Sequence, residues 1–537
     1  MTTIPRFFNT AGPIIAEDHY HIPPLQRLDR DEVLMLIRQK RYFVLHAPRQ
    51  TGKTSALLAL RDLLNGGAEG EYRCVYVNVE AAQASRENVE RAMRSMLSEL
   101  AIRARRTLDD ESLASFWPEV LDQAGPDGAF RHVLARWAEA DPRPLVLLID
   151  EIDALIGDTL LSVLRQLRAG YDDRPGGFPQ SVILCGVRDV RDYRIQSATG
   201  NAIITGGSAF NIRAKSLRLG DFSKREVESL LEQHTEETGQ VFTDDARRGV
   251  WELTQGQPWL VNALAYEVCF DDKAGRDRSR EITGDAIQDA RERLILRRET
   301  HLDQLTDKLG EERVRRVIEP LLRGADAVES IPVDDLEYVR DLGLVARNNP
   351  IAIANPIYKE VIPHDLTYTT QAGFHHDPAW YVDDAGVLRV DKLLAAFQES
   401  FREHSEHWVE RFQYKEAGPQ LLLQAFLQRI VNSGGRIERE YGLGRGRTDL
   451  LLVWPLGGRA GENRETRKVV VECKLLHRGL ERTLSEGLAQ TRAYMDRCAA
   501  AAGHLVIFDR TEGRPWDEKV YRREETEGGA PVMVWGM

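Results

Sequence analysis

The chain has 537 residues, 42% of them apolar and 29% charged, with a formal net charge of -12. That length suits three or four domains of ordinary size, and that charge argues against a polyanion-coating protein, so local clusters must carry any nucleic-acid contact. No apolar run approaches the roughly 20 residues of a membrane helix, residues 1–13 lack the order of a secretory signal, and the five cysteines have no paired or metal-ligand spacing, so a reduced, cytoplasmic protein with no membrane partner is expected.

After an N-terminal segment (1–25), the runs Tyr42–His46, Cys74–Val79, Leu145–Ile149 and Val182–Cys185 are short and rich in β-formers, and helical patterns separate them. This alternation predicts a parallel sheet covered by helices over 26–220. From Asp221 the pattern is helical only, with Ser223 and Glu226 spaced as a capping box and Gly256 and Pro258 as a stop and a start, predicting a helical lid over 221–300. Short helices and then Leu344–Ala346 and Ile351–Ala354, flanking Asn348-Asn349-Pro350, suggest a winged-helix module over 301–365. Residues 366–405 read as a linker, and 406–537 as a separate unit of order αβββαβ.

Ala47-Pro48-Arg49-Gln50-Thr51-Gly52-Lys53-Thr54 follows a strand and opens a helix, with Ala47 where a glycine is usual. This is the geometry of a phosphate-binding loop. Backbone N–H groups at the positive helix end surround a β-phosphate, Lys53 reaches the β and γ oxygens, and the Thr54 hydroxyl ligates Mg²⁺. The strand Leu145–Ile149 ends in Asp150-Glu151, placing one carboxylate in the Mg²⁺ shell and another to polarise the attacking water. Past the next strand stands Arg188, a cation placed either to sense a γ-phosphate or simply at the surface. ATP and Mg²⁺ are the cofactors expected.

On Asp18-His19-Tyr20, His46 to Thr54, Ile149-Asp150-Glu151, Gly186 to Asp189, Ser208 to Asn211 and Thr254 to Pro258, the segment from Gly12 to about Leu366 resembles bacterial AAA-like P-loop ATPases of the group that shades into the signalling STAND ATPases. The resemblance implies an ASCE-type parallel sheet, a sensor role for Arg188, and a Gly256-Gln257-Pro258 turn that sets the lid near the nucleotide. Asp18-His19-Tyr20 reads as a segment packing against the adenine end. His19 with His21, and His375-His376-Asp377, lack partners that would complete a metal site.

In the last unit, Asp449 opens an apolar strand and Glu472-Cys473-Lys474 follows three valines in another. On a strand Glu472 and Lys474 share a face, so if the strands are neighbours Asp449 and Glu472 can hold Mg²⁺ or Mn²⁺ with Lys474 beside an attacking water. This stretch, about Trp408 to Phe508, resembles the PD-(D/E)XK nuclease superfamily through Asp449, Glu472-Cys473-Lys474 and Gln490 to Tyr494, with Thr448 where a proline is usual. The resemblance implies a restriction-endonuclease-like domain. Gln490 and Tyr494 would lie on one helix face, and Glu416 (less favourably Glu410) would be a further metal ligand. Arg436, Arg439, Arg445, Arg447, Arg478, Arg482 and Arg492 make this neighbourhood basic, as a phosphate backbone requires.

The resulting expectation is an α/β multidomain protein in which an ATPase controls a metal-dependent nuclease acting on nucleic acid, with DNA the favoured partner and a homo-oligomer compatible. The rival expectation is a nucleotide-dependent signalling or scaffolding switch whose nuclease-like fold binds nucleic acid or a partner without cutting.

Overall fold

The computed structural model describes the chain except for residues 1–4, 67–70, 189–193, 197–202, 206–212, 298–306, 324–330, 363–380, 384–385, 412–418, 420–421, 425, 428–435, 444–445, 457–465, 477–478, 510 and 512–513. It forms two compact units, one of residues 1–301 with 333–355, the other of 302–332 with 356–537. The stretch 301–365, expected as one module, is therefore divided between them. Among the described residues no helix is long and apolar enough to cross a membrane.

In the first unit, β1 (Phe7–Phe8) pairs with β2 (His19–Tyr20), and α1 (Arg30–Arg38) precedes β3 (Tyr42–His46). Then come α2 (Lys53–Asn65), β4 (Arg73–Asn78), α3 (Val89–Leu108), α4 (Ser112–Ala124), α5 (Pro126–Glu139), β5 (Leu145–Asp150), α6 (Gly157–Ala169) and β6 (Ser181–Gly186). A short antiparallel pair, β7 (Arg194–Gln196) and β8 (Ile203–Thr205), leads to β9 (Arg213–Arg218). The main sheet is parallel, in the order β4-β5-β6-β3-β9.

The strands are continuous apolar runs because both faces are covered. Tyr42, Val44, Leu145, Leu147 and Ile149 pack with helices α3 to α6. Phe43, Leu45, Val146 and Leu148 face α1 and α2 instead. Burying each such side chain contributes about 1.5–3 kcal/mol. β9 lies at the edge, and its sequence Arg-Ala-Lys-Ser-Leu-Arg suits one-sided exposure.

The region expected as a lid follows as the helices α7 (Lys224–Thr238), α8 (Asp244–Thr254), α9 (Pro258–Tyr266) and α10 (Gly284–Arg297). Ser223 and Glu226 make both hydrogen bonds of the capping box. Gly256 has φ +80°, and a Cβ there would lie 2.0 Å from the Phe222 carbonyl oxygen, whose own N–H donates to the Gly256 carbonyl. Gly256→Ala is expected to cost about 2 kcal/mol or more, read as a fall in the urea midpoint. After α11 (Glu312–Arg323), which belongs to the second unit, α12 (Val333–Asp341) and a small hairpin return to the first. The expected hairpin is formed, with Val345 opposite Ile353.

In the second unit, α13 (Val390–Arg411) is followed by β10 (Arg436–Leu443), β11 (Gly446–Pro455), β12 (Thr466–Leu475), α14 (Leu480–Cys498), β13 (Ala502–Phe508), α15 (Trp516–Lys519), β14 (Tyr521–Glu527) and β15 (Ala530–Gly536). Residues from Val390 are thus helical where a linker to 405 was expected. The sheet is mixed, in the order β10-β11-β12-β13-β15-β14, with two strands beyond the αβββαβ pattern. Leu488, Tyr494 and Met495 of α14 pack on Val470, Leu505 and Ile507. By strand alternation Phe508 belongs to the opposite face, where it meets Phe401 of α13 with ring centroids 5.5 Å apart.

Candidate functional site

The loop Ala47–Thr54 connects the end of β3, which lies between β6 and β9 in the sheet, to the start of α2. Ala47 is fully buried and its N–H donates to the Gly186 carbonyl on β6 at 3.2 Å. Gln50 and Gly52 take the left-handed conformation (φ +55° and +93°), whereas Ala47 does not, so its methyl is compatible with the turn. Thr51 is buried and its hydroxyl closes the loop on the Pro48 carbonyl at 2.8 Å. Lys53 is the first residue of α2, and its ammonium donates to the Ala47 and Pro48 carbonyls, each at 3.0 Å. The loop therefore wraps the cation it presents.

Asp150, at the end of β5, is fully buried. Its Oδ2 accepts from the Thr54 hydroxyl at 2.7 Å and the Tyr76 hydroxyl at 3.0 Å, and its Oδ1 accepts from the Glu151 N–H at 3.0 Å. A buried carboxylate carries its charge only when so paired. Burial and the neighbouring Asp150 carboxylate push the Tyr76 phenol well up, so it stays a donor. Glu151 has left-handed backbone (φ +56°). Burial, reinforced by Asp153 nearby, raises its carboxyl above the usual range. A half-buried acid raised in this way holds a proton more tightly than an ordinary glutamate, which suits a base that takes a proton from water.

Arg188 stands half-buried after β6, its guanidinium over the Tyr338 ring of α12 at 4.8 Å. The same segment meets the loop again. His46 and Asp341 approach to 3.9 Å, and a Cβ at Gly343 would lie 2.9 Å from Pro48. The N-terminal segment closes another side, where the Ile14 N–H donates to the Ser55 hydroxyl at 3.1 Å and Tyr20 packs on His234 of the lid. His19 accepts from the Ile15 N–H, a structural use of its ring.

Besides Tyr338, two residues here escaped the sequence reading. Tyr76 looks like any β-former in its strand, and only alternation along β4, which puts it on the face of Asn78, hints at the strand end. Arg27 lies outside every motif. Its guanidinium donates to the Thr51 and Gly220 carbonyls and stacks on Phe222, tying the phosphate loop to the start of the lid. Burial lowers its pKa to about 10, which leaves it charged at neutral pH.

In the second unit, Glu472 on β12 is 2% exposed and accepts from the Lys474 ammonium at 2.8 Å. β11 and β12 are antiparallel neighbours with Leu450 opposite Val471, so one further step along the register sets Asp449 opposite Glu472. Glu472 and Lys474, two residues apart on β12, lie on one face of that strand. Gln490 and Tyr494 are four apart on α14, the first exposed and the second buried in the core. Glu416 and the side chain of Asp449 fall outside the described residues, as does His375-His376-Asp377. Among the described residues no group of three or more His, Cys, Asp or Glu side chains is placed to hold a metal ion.

Parallel sheet, phosphate loop and acid-tipped β5 together define a class, and residues 37–193 match the family model described as the AAA domain. The chain carries an AAA-like P-loop ATPase domain. No curated protein matches it. Similar solved structures include a Walker-type ATPase of Pyrococcus abyssi, at 15% identity over 66% of this chain and 99% of that one, with a TM-score of 0.43. Cdc6p of Pyrobaculum aerophilum is similar at 15% identity over 64% and 93%, TM-score 0.35. The Holliday junction branch migration motor RuvB of Thermotoga maritima is similar at 13% identity over 62% and 95%, TM-score 0.33.

Proposed function

We propose that the chain binds and hydrolyses ATP and that this cycle controls a divalent-metal-dependent nuclease in the second unit, acting on DNA. The observation that carries the ATPase reading is the 2.7 Å bond from the Thr54 hydroxyl to Asp150, which joins the head of α2 to the acid at the end of β5. Backbone N–H groups at the start of α2 receive the phosphates, and Lys53 exchanges its two loop carbonyls for β and γ oxygens. Thr54 and Asp150 are suited to hold Mg²⁺, which when bound offsets phosphate charge. Glu151 draws the proton of the attacking water.

Arg188 reads the γ-phosphate by exchanging the Tyr338 ring for a phosphate oxygen. Arg188→Ala protein should bind ADP normally yet give the same limited-proteolysis pattern with ADP and with an ATP analogue. Identical patterns for the wild type in the two nucleotides would leave Arg188 no switch to operate.

The nuclease reading rests on Asp449 and Glu472 at facing register positions with Lys474 beside them, a set that suits a hard divalent ion and a developing negative charge. One observation favours the alternative, a switch whose nuclease-like sheet binds without cutting: the Lys474 ammonium is paired with the Glu472 carboxylate at 2.8 Å, which engages an oxygen that a metal would need. Incubating the purified protein with plasmid or oligonucleotide, with Mg²⁺ or Mn²⁺ and with or without ATP, separates the two. Metal-dependent cutting supports the nuclease, and binding without cutting in every arm supports the switch.

A further inference from the structure

The Asp150 carboxylate is held by more than the phosphate loop. Tyr76 lies on β4, directly beside β5 in the sheet, with Val77 opposite Ile149 and Asn78 opposite Asp150. Its hydroxyl is buried and donates to the same oxygen, Oδ2, that Thr54 reaches from the other side. An ionised carboxylate has no proton to give, so the hydroxyl is the donor in that bond. Tyr76 and Thr54 thus meet at one oxygen of Asp150, from a neighbouring strand and from the head of α2.

From this geometry we infer that Tyr76 is a positioning residue for the divalent cation: it fixes the Asp150 carboxylate so that Mg²⁺ meets a preset oxygen. The inference rests on the ATP-binding reading above. Without the Tyr76 hydroxyl, Thr54 is the remaining donor to Oδ2, and the carboxylate can rotate to follow Thr54 rather than the ion. The loop, Lys53 and the α2 N-terminus do not involve Tyr76, so affinity for the nucleotide alone is untouched. A hydrogen bond to an ionised group has an effect of about tenfold or somewhat more.

The test measures binding of a fluorescent ATP analogue to full-length wild type and Tyr76→Phe, first in EDTA and then across a Mg²⁺ titration. The expected result is equal affinity in EDTA and a Mg²⁺ half-saturation raised about tenfold in the variant. Half-saturation within twofold of wild type for Tyr76→Phe would overturn the inference and leave the ATP-binding reading standing. Weaker EDTA binding by Tyr76→Phe would also overturn it, because the residue would then support the whole pocket. Wild type that binds no nucleotide in either condition would overturn both.

Discussion

Lys53→Ala protein is expected to lose tight ATP binding and all measurable hydrolysis, while Glu151→Gln protein binds ATP as wild type does and turns over about 10²–10⁴-fold more slowly. The two outcomes differ because the residues act at different stages. Lys53 is buried and held on two loop carbonyls, so its charge is already desolvated and aimed where the phosphates enter. Removing it takes away ground-state binding. Glu151 is held after β5 by an unusual backbone conformation, and its amide form keeps shape while losing proton affinity. Because its carboxyl is raised by burial and must be ionised to act, the acid limb of turnover should lie above that of an ordinary glutamate. Isothermal titration for binding and phosphate release for turnover, each across pH, check these results. Undiminished hydrolysis by Lys53→Ala protein would remove the ATPase assignment.

The second large effect concerns the C-terminal sheet. Asp449→Ala and Lys474→Ala should each abolish metal-dependent cutting of DNA and leave the ATPase rate within about twofold of wild type, since the two sets of residues belong to different compact units. Loss of Lys474 also leaves a buried carboxylate, Glu472, without its cation, which costs about 3–5 kcal/mol when nothing replaces it. A melting curve must therefore accompany the assay, and Lys474→Arg, which keeps the charge but changes its geometry, gives a second reading. Gln490→Ala should reduce cutting only a few-fold, because its exposed amide can orient groups but cannot replace a ligand. Unchanged cutting by Asp449→Ala protein would exclude the proposed metal site.

The ATPase sheet was legible because burial on both faces writes itself as unbroken apolar runs, and the strand Tyr42–His46 coincides with its predicted limits. β9 was not legible, because an edge strand reading Arg-Ala-Lys-Ser-Leu-Arg has no such pattern. The same holds for β14, with five charges in seven residues. Its partner β15 could have been found: Gly528-Gly529, both at positive φ, is a two-residue hairpin signal ahead of the apolar run Val532–Trp535. At the nucleotide site the motif residues were readable one by one. Tyr76, Arg27 and Tyr338 were not, because they act through neighbours that only the folded chain brings to them. The start of α13 at Val390 was missed because it follows a stretch of mixed His, Asp, Gly and Pro that has no period.

The ATPase unit is discontinuous in the chain: it ends at His301, and residues 333–355 rejoin it after an excursion. Those residues bring Tyr338 over Arg188 and Gly343 against Pro48. A fragment stopped at His301 would therefore be an excised piece with the outer wall of its phosphate loop stripped away, its Arg188 bare and its Pro48 wet. A nick between 302 and 332 has the opposite result, because the severed halves remain clasped by packing. Dissecting this protein calls for cutting the covalent chain at two places, or for cutting it once and keeping both fragments.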